Sequence, residues 1–327
     1  MVISLVVAII IPFELFLLAY AILGPLHYLT EINWLKQNGF FIKKKNQIWA
    51  LVALTFFISV PIVLAGFSIF PDAANPMKPL FTFLIRFYPT VILICLVVAI
   101  ALVYEQKVFF MVILLIVTGL IIYLFRNTKM YYLLAGLLLP SLFHVYLFTL
   151  IFMAYGVIKT KNKTGFFEVL TLALMPLIIT FLPINHENYT LGNKTLATFR
   201  ESNFGHLNFS VGNMLGPAAN QDAEAFIFSA AGIKIQIFIA FAYLYHYLNW
   251  FSKVSLIGWL RNTSGKKISL MLLIWIISLS VYFYDYRLGL GVLFFLSLLH
   301  VTLEFPLNIL SAQGVFGFLT SRFRSNP

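Results

Sequence analysis

Residues 130–157 read MYYLLAGLLLPSLFHVYLFTLIFMAYGV, 28 residues without an Asp, Glu, Lys or Arg. At about 1.5 Å per residue such a stretch is long enough, as a helix, to cross the ~30 Å hydrocarbon core of a bilayer. His144 stands in the middle of it. Runs of the same kind recur along the chain. Of its 327 residues 61% are hydrophobic and 10% charged, and the mean hydropathy is +0.94. A soluble domain is about 45–50% apolar and about 25% charged, and a core at this length cannot hide the excess. A soluble enzyme, a secreted disulfide scaffold and a disordered protein are thereby excluded. Cys95 is the one cysteine and lies inside an apolar run, so there is no disulfide framework or thiolate metal site. The net charge of +11 arises from short basic clusters between apolar runs, the way orientation is encoded in membranes, and gives no reason to expect nucleic acid.

The pattern predicts an all-α polytopic transmembrane bundle of nine spans: 2–29, 47–70, 84–104, 107–125, 130–157, 166–183, 233–251, 268–285 and 288–312. The first run lacks a basic leader and a cleavage site and carries Glu14, so it reads as a retained helix. Glu14 falls mid-span in this reading and is expected to face the bundle and find a partner there, or to be protonated. With the N-terminus outside and the C-terminus inside, 14 basic residues fall on inner loops and seven on outer segments. The weak points of this count are the short connections at 105–106 and 126–129. Residues 1–327 read as a single integral membrane domain with a long polar outer loop at about 184–232. That loop is either a lid or a spacer. It carries His186 and His206, expected to be solvated, and the sequons at Asn188, Asn193 and Asn208. Lys234 marks the outer interface, where it is expected to snorkel.

Polar groups in hydrocarbon cost on the order of 2.5–3.5 kcal/mol each on insertion scales, so the intramembrane ones are informative. Four of the six histidines fall within spans: His27, His144, His246 and His300. His27 precedes the basic Lys36 by nine residues and His246 precedes Lys253 by seven, which gives them a common depth. His144 lies nearer the midplane. His300 lies deeper by count, but Pro306 is expected to bend or end its helix. Two of the histidines carry an acid one turn later, His27 with Glu31 and His300 with Glu304, and His246 has Asn249 at i+3. Spacings of three or four residues place both side chains on one helix face. A ligating imidazole normally donates its second N–H to a carboxylate or amide, so these acids and Asn249 are candidate supports or direct ligands.

Three readings stay open. The histidines form a shared metal or redox site, a structural polar network, or a proton or solute pathway. Motifs for nucleotide, dinucleotide, zincin and serine-hydrolase chemistry are absent. Four histidines with nearby carboxylates suit one Fe²⁺ or Zn²⁺ better than a di-iron pair built wholly from histidine. Two histidines at one depth on facing helices, such as His27 and His246, would suit haem. The aromatic runs 243–250 and 282–286 form either an interface belt or the lining of a pocket for a long apolar ligand.

The segment Gly24-Pro25-Leu26-His27-Tyr28-Leu29-Thr30-Glu31 resembles the Gly-x-x-His-x-x-x-acid element of the Brp/Blh family, bacterial and archaeal membrane β-carotene dioxygenases. The chain departs from that element at Tyr28 and Leu29, where the family has small residues, and at Glu31, where it has Asp. The resemblance implies His27 as an iron ligand with Glu31 as its support. The resulting expectation is a multi-pass protein of the cell (inner) membrane, a metal-dependent oxygenase of a lipid-soluble, possibly carotenoid, substrate. A transporter or channel and a haem-binding electron carrier are the alternatives.

Overall fold

The computed structural model describes residues 1–66, 78–104, 108–219, 221–253, 258 and 260–324. The end of the second predicted span, the connection at 105–106 and Lys107 lie outside them. The described residues form helices joined by turns. Seven helices are long and apolar enough to cross a membrane: Pro12–Gln37, Lys45–Leu64, Lys129–Thr160, Lys163–Thr180, Ala230–Ser252, Gly265–Tyr284 and Tyr286–Ser321. Among the described residues the count by length and composition is thus seven, against the expected nine. The difference lies in the runs at 84–104 and 107–125. There the described helices are Tyr88–Tyr104 and Val108–Phe125, of 17 and 18 residues, at the short end of what a crossing needs.

Three local departures have physical causes. Ile11 leaves helical geometry at φ −136° and ψ 61°, and Pro12 opens the next helix at its first position, where its missing N–H costs nothing. The first long crossing helix thus starts at Pro12 and runs through Gln37, with a π-helical turn at Ala19–Leu23. Glu14 consequently lies in the first turn of this helix, not in mid-span, and is half-buried. A second π-helical stretch, Tyr132–Phe148, contains Pro140 and His144; wide turns of this kind occur mostly at functional sites. Pro306 neither ends nor shortens its helix, which continues from Tyr286 to Arg324. Thr302, whose carbonyl would have met the missing N–H, is fully buried and bonded through its hydroxyl to Thr55 Oγ1 at 2.8 Å, the sort of enclosed setting in which membrane helices accept proline.

The chain forms two compact units. The first comprises Met1–His27, Asn162–Gly258 and Ser269–Leu290. Its axis is the Ala230–Ser252 helix, packed by Val2–Ile10, Pro12–Leu18, Lys163–Thr180 and Gly205–Leu215. The polar segment between the fourth and fifth long helices belongs to this unit and is itself helical, at Asn193–Glu201, Gly205–Leu215 and Ala223–Ile227. Asp222 caps the last of these by accepting from Glu224 N at 3.0 Å and Ala225 N at 3.1 Å. Asn208 is fully buried and donates to Gly232 O at 2.9 Å and Gln236 Oε1 at 3.2 Å. A glycan cannot be carried by that side chain in the folded state. Lys234 reaches back to Thr180 O at 2.7 Å.

The second unit comprises Tyr28–Lys161, Trp259–Ile268 and Gly291–Pro327. Within it Tyr88–Tyr104 packs between Ile48–Gly66 and the π-helical stretch Tyr132–Phe148. Cys95 is free and fully buried there.

Candidate metal centre

All four predicted histidines are buried, His27, His144 and His300 almost completely and His246 to more than nine-tenths, whereas His186 and His206 are exposed. In the first unit His27 Nε2 lies 2.9 Å from His246 Nε2. The two rings meet edge to face, with Tyr247 and Trp250 packed around His27 at centroid distances of 5.2 and 5.5 Å. The backbone explains the placement of His27. It stands four residues past the π-turn, on a helix segment opened by Gly24-Pro25, and His246 projects from the most buried of the long helices.

In the second unit His144 Nε2 lies 3.1 Å from His300 Nε2, and His144 Nδ1 lies 2.9 Å from Glu304 Oε2. Glu31 is fully buried in the same unit, and its carboxyl lies close to that of Glu304. Asn308 Nδ2 donates to Glu304 Oε2 at 3.2 Å. The result is a buried histidine–glutamate cluster able to chelate a metal ion. Two carboxyls this close require a positive charge between them, a proton or a metal cation.

The i+4 spacing did not show one further use of the acids. Glu304 reaches across to His144 on another helix. Asn249 stands one turn beyond His246 but is half-buried, and it engages Ser252 through its carbonyl, which accepts from Ser252 Oγ at 3.1 Å. Two participants were not singled out from sequence. Tyr28 stacks on the His300 ring, centroids 4.1 Å apart and planes 25° from parallel. That contact gives a physical reason for a large residue directly after His27. Asn308 continues the stripe of His300 and Glu304 at a further i+4, a signal present in the sequence because an amide in an apolar helix is costly without a partner.

The donor geometry fits a metal. Donors bound cis at about 2.1 Å to an octahedral ion lie about 3.0 Å apart, and trans donors about 4.2 Å apart. Both Nε2 separations, 2.9 and 3.1 Å, are those of imidazole–imidazole hydrogen bonds and also equal the cis edge. A haem iron held between two axial histidines needs the longer, trans separation. Imidazole and carboxylate oxygen together are the donor set of non-haem Fe²⁺ sites and also suit Zn²⁺.

No family model, curated protein or solved structure matches this chain.

Proposed function

We propose that the protein is a multi-pass membrane metalloenzyme in which His27, His144, His246 and His300 hold non-haem iron, with Glu31 and Glu304 as ligands or supports. The observation that supports this reading is the close approach of two pairs of Nε2 atoms, at 2.9 and 3.1 Å, among buried imidazoles.

When bound, Fe²⁺ in such a donor set supplies oxygen activation at open coordination positions. The chain's own residues supply the rest. Glu304 Oε2 lies 2.9 Å from His144 Nδ1, a contact that favours Nε2 as the ligating atom. Tyr28 fixes the plane of the His300 ring by stacking on it. Asn308 fixes the Glu304 carboxyl. The apolar helices exclude water and give access from lipid, so the substrate is a lipid-soluble molecule; a carotenoid is the class implied by the resemblance at Gly24–Glu31. Iron-loaded protein in detergent micelles should consume O₂ on addition of a soluble polyene, and His144→Ala protein treated alike should not. Equal O₂ consumption by both would remove the histidines from the chemistry.

The orientation proposed is N-out and C-in in the cell (inner) membrane. The orientation holds whether the two shorter apolar helices both cross or neither does, since either way the number of crossings stays odd. Cysteine-accessibility labelling is expected to reach positions near Lys44 and Lys266 from one side and positions near Asn193 only from the other. Labelling of all three from the same side would contradict the topology.

A further inference from the structure

The first unit holds a cavity of about 510 Å³ whose walls come from the start of the Pro12–Gln37 helix, the polar helix Asn193–Glu201 and residues 279–286. That volume lies in the range of small-molecule sites, about 300–1,000 Å³. The walls are tied together through backbone carbonyls near the π-turn. Tyr286 donates its hydroxyl to Leu17 O at 2.9 Å, and Trp275 Nε1 donates to Ile22 O at 2.7 Å. The cavity is therefore framed by fixed elements and is not an accident of side-chain packing.

Its lining is divided by chemistry. Leu18, Ile22, Leu279 and Phe283 form an apolar side, of which Leu18 and Phe283 are strongly exposed. In a membrane-spanning helix an exposed leucine or phenylalanine faces lipid. Glu14, Glu201 and Asp285 line the cavity as acids against a single base, Lys194. Glu14 enters no part of the metal centre and stands half-buried in the first turn of its helix, beside the cavity.

We infer that this cavity binds a cationic amphiphile, an apolar chain lying along Leu18, Ile22 and Phe283 with an ammonium head held among Glu14, Glu201 and Asp285. Three carboxylates against one ammonium favour a positive head and repel a fatty carboxylate. The polar helix Asn193–Glu201 contributes Lys194 and Glu201 to the cavity, so the polar segment supplies part of the binding wall. This inference goes beyond the metal centre and stands whether or not metal binds.

The test uses full-length protein in micelles of a neutral detergent and three brominated probes that share one long chain and carry an amine, an alcohol or a carboxylate. Binding is read as quenching of tryptophan fluorescence, with Trp275→Phe protein identifying the share from Trp275. The amine is expected to bind about tenfold more tightly than the carboxylate, with the alcohol between them. Glu14→Gln combined with Asp285→Asn should abolish the preference for the amine while leaving alcohol binding in place; asparagine retains the acceptor that Asp285 offers to Leu288 N. Equal affinity for the three probes in the wild type would overturn the inference and leave a groove filled by bulk lipid chains. A preference for the amine that survives the double substitution would overturn the assignment of the head to these acids. The same comparison on metal-stripped protein separates this result from failure of the metal centre.

Discussion

Protein expressed in iron-supplemented medium is expected to lose its metal when His144 is replaced by alanine and to retain it about 10–100-fold more weakly when Glu304 is replaced by glutamine. The two substitutions act on one contact from opposite ends, His144 Nδ1 to Glu304 Oε2 at 2.9 Å. Alanine removes a donor atom outright. Glutamine keeps the shape and an acceptor oxygen but removes the charge that strengthens the imidazole as a ligand. The same change also acts on the close approach of Glu304 to Glu31, where a glutamine amide needs no shared proton or cation. A purely structural clamp predicts a different order. In that case Glu304→Gln keeps its hydrogen bonds and changes little, whereas His144→Ala leaves a buried carboxyl without its partner and lowers stability by about 3–5 kcal/mol. Metal content and thermal stability measured across both variants separate the two accounts. Loss of stability with unchanged metal content would favour the clamp.

Gly232→Ala is expected to destabilise the first unit by about 3 kcal/mol, the upper end of overpacking costs. A Cβ on Gly232 would lie 2.1 Å from Phe226 O and 2.6 Å from Ile227 O. Both neighbours are backbone, so no side-chain rotation relieves the clash. The residue opens the Ala230–Ser252 helix, where its N–H donates to the capping Ser229 Oγ at 3.2 Å and its carbonyl accepts from Asn208. Displacing it therefore releases the polar helical segment from the helix that carries His246. Thermal unfolding and limited proteolysis between residues 184 and 232 check this. Gly265→Ala is the control, because a Cβ there has nothing within 4 Å. Equal behaviour of the two variants would contradict the close-approach explanation.

The fold class was legible because long uncharged runs admit few other outcomes, and residues 130–157 alone required a membrane-scale helix. Span boundaries were less legible where hydropathy is uniform but helix geometry changes. The backbone break at Ile11 lies inside one continuous apolar run, and it moves Glu14 from mid-span to a helix start. Pro306 looked like a stop and is not one, because its neighbours in the packed unit, not the local sequence, decide whether the lost hydrogen bond is tolerated. The polar segment read as a lid or spacer because Asn, Gly and Thr obscure helical periodicity, yet capping by Asp222 and Ser229 and anchoring by Asn208 give it defined helices.

For the site, burial cost identified the four histidines correctly as inward-facing, since an imidazole in hydrocarbon needs a polar partner. Pairing across helices was not legible. Helical spacing can report that His300 and Glu304 share a face, but not that Glu304 reaches His144 or that His300 is backed by Tyr28. Such partners depend on helix packing between distant parts of the chain, which one sequence does not encode in any local period.

The account rests on the buried imidazoles and carboxyls acting as a metal centre, and X-ray absorption at the iron edge of the purified protein tests that most directly. The prediction is iron in stoichiometric amount, no Soret band, and nitrogen or oxygen neighbours at about 2.0–2.2 Å with the outer-shell scattering of several imidazoles. Protein that emerges metal-free from iron-supplemented cells and takes up neither Fe²⁺ nor Zn²⁺ in anaerobic titration would contradict it.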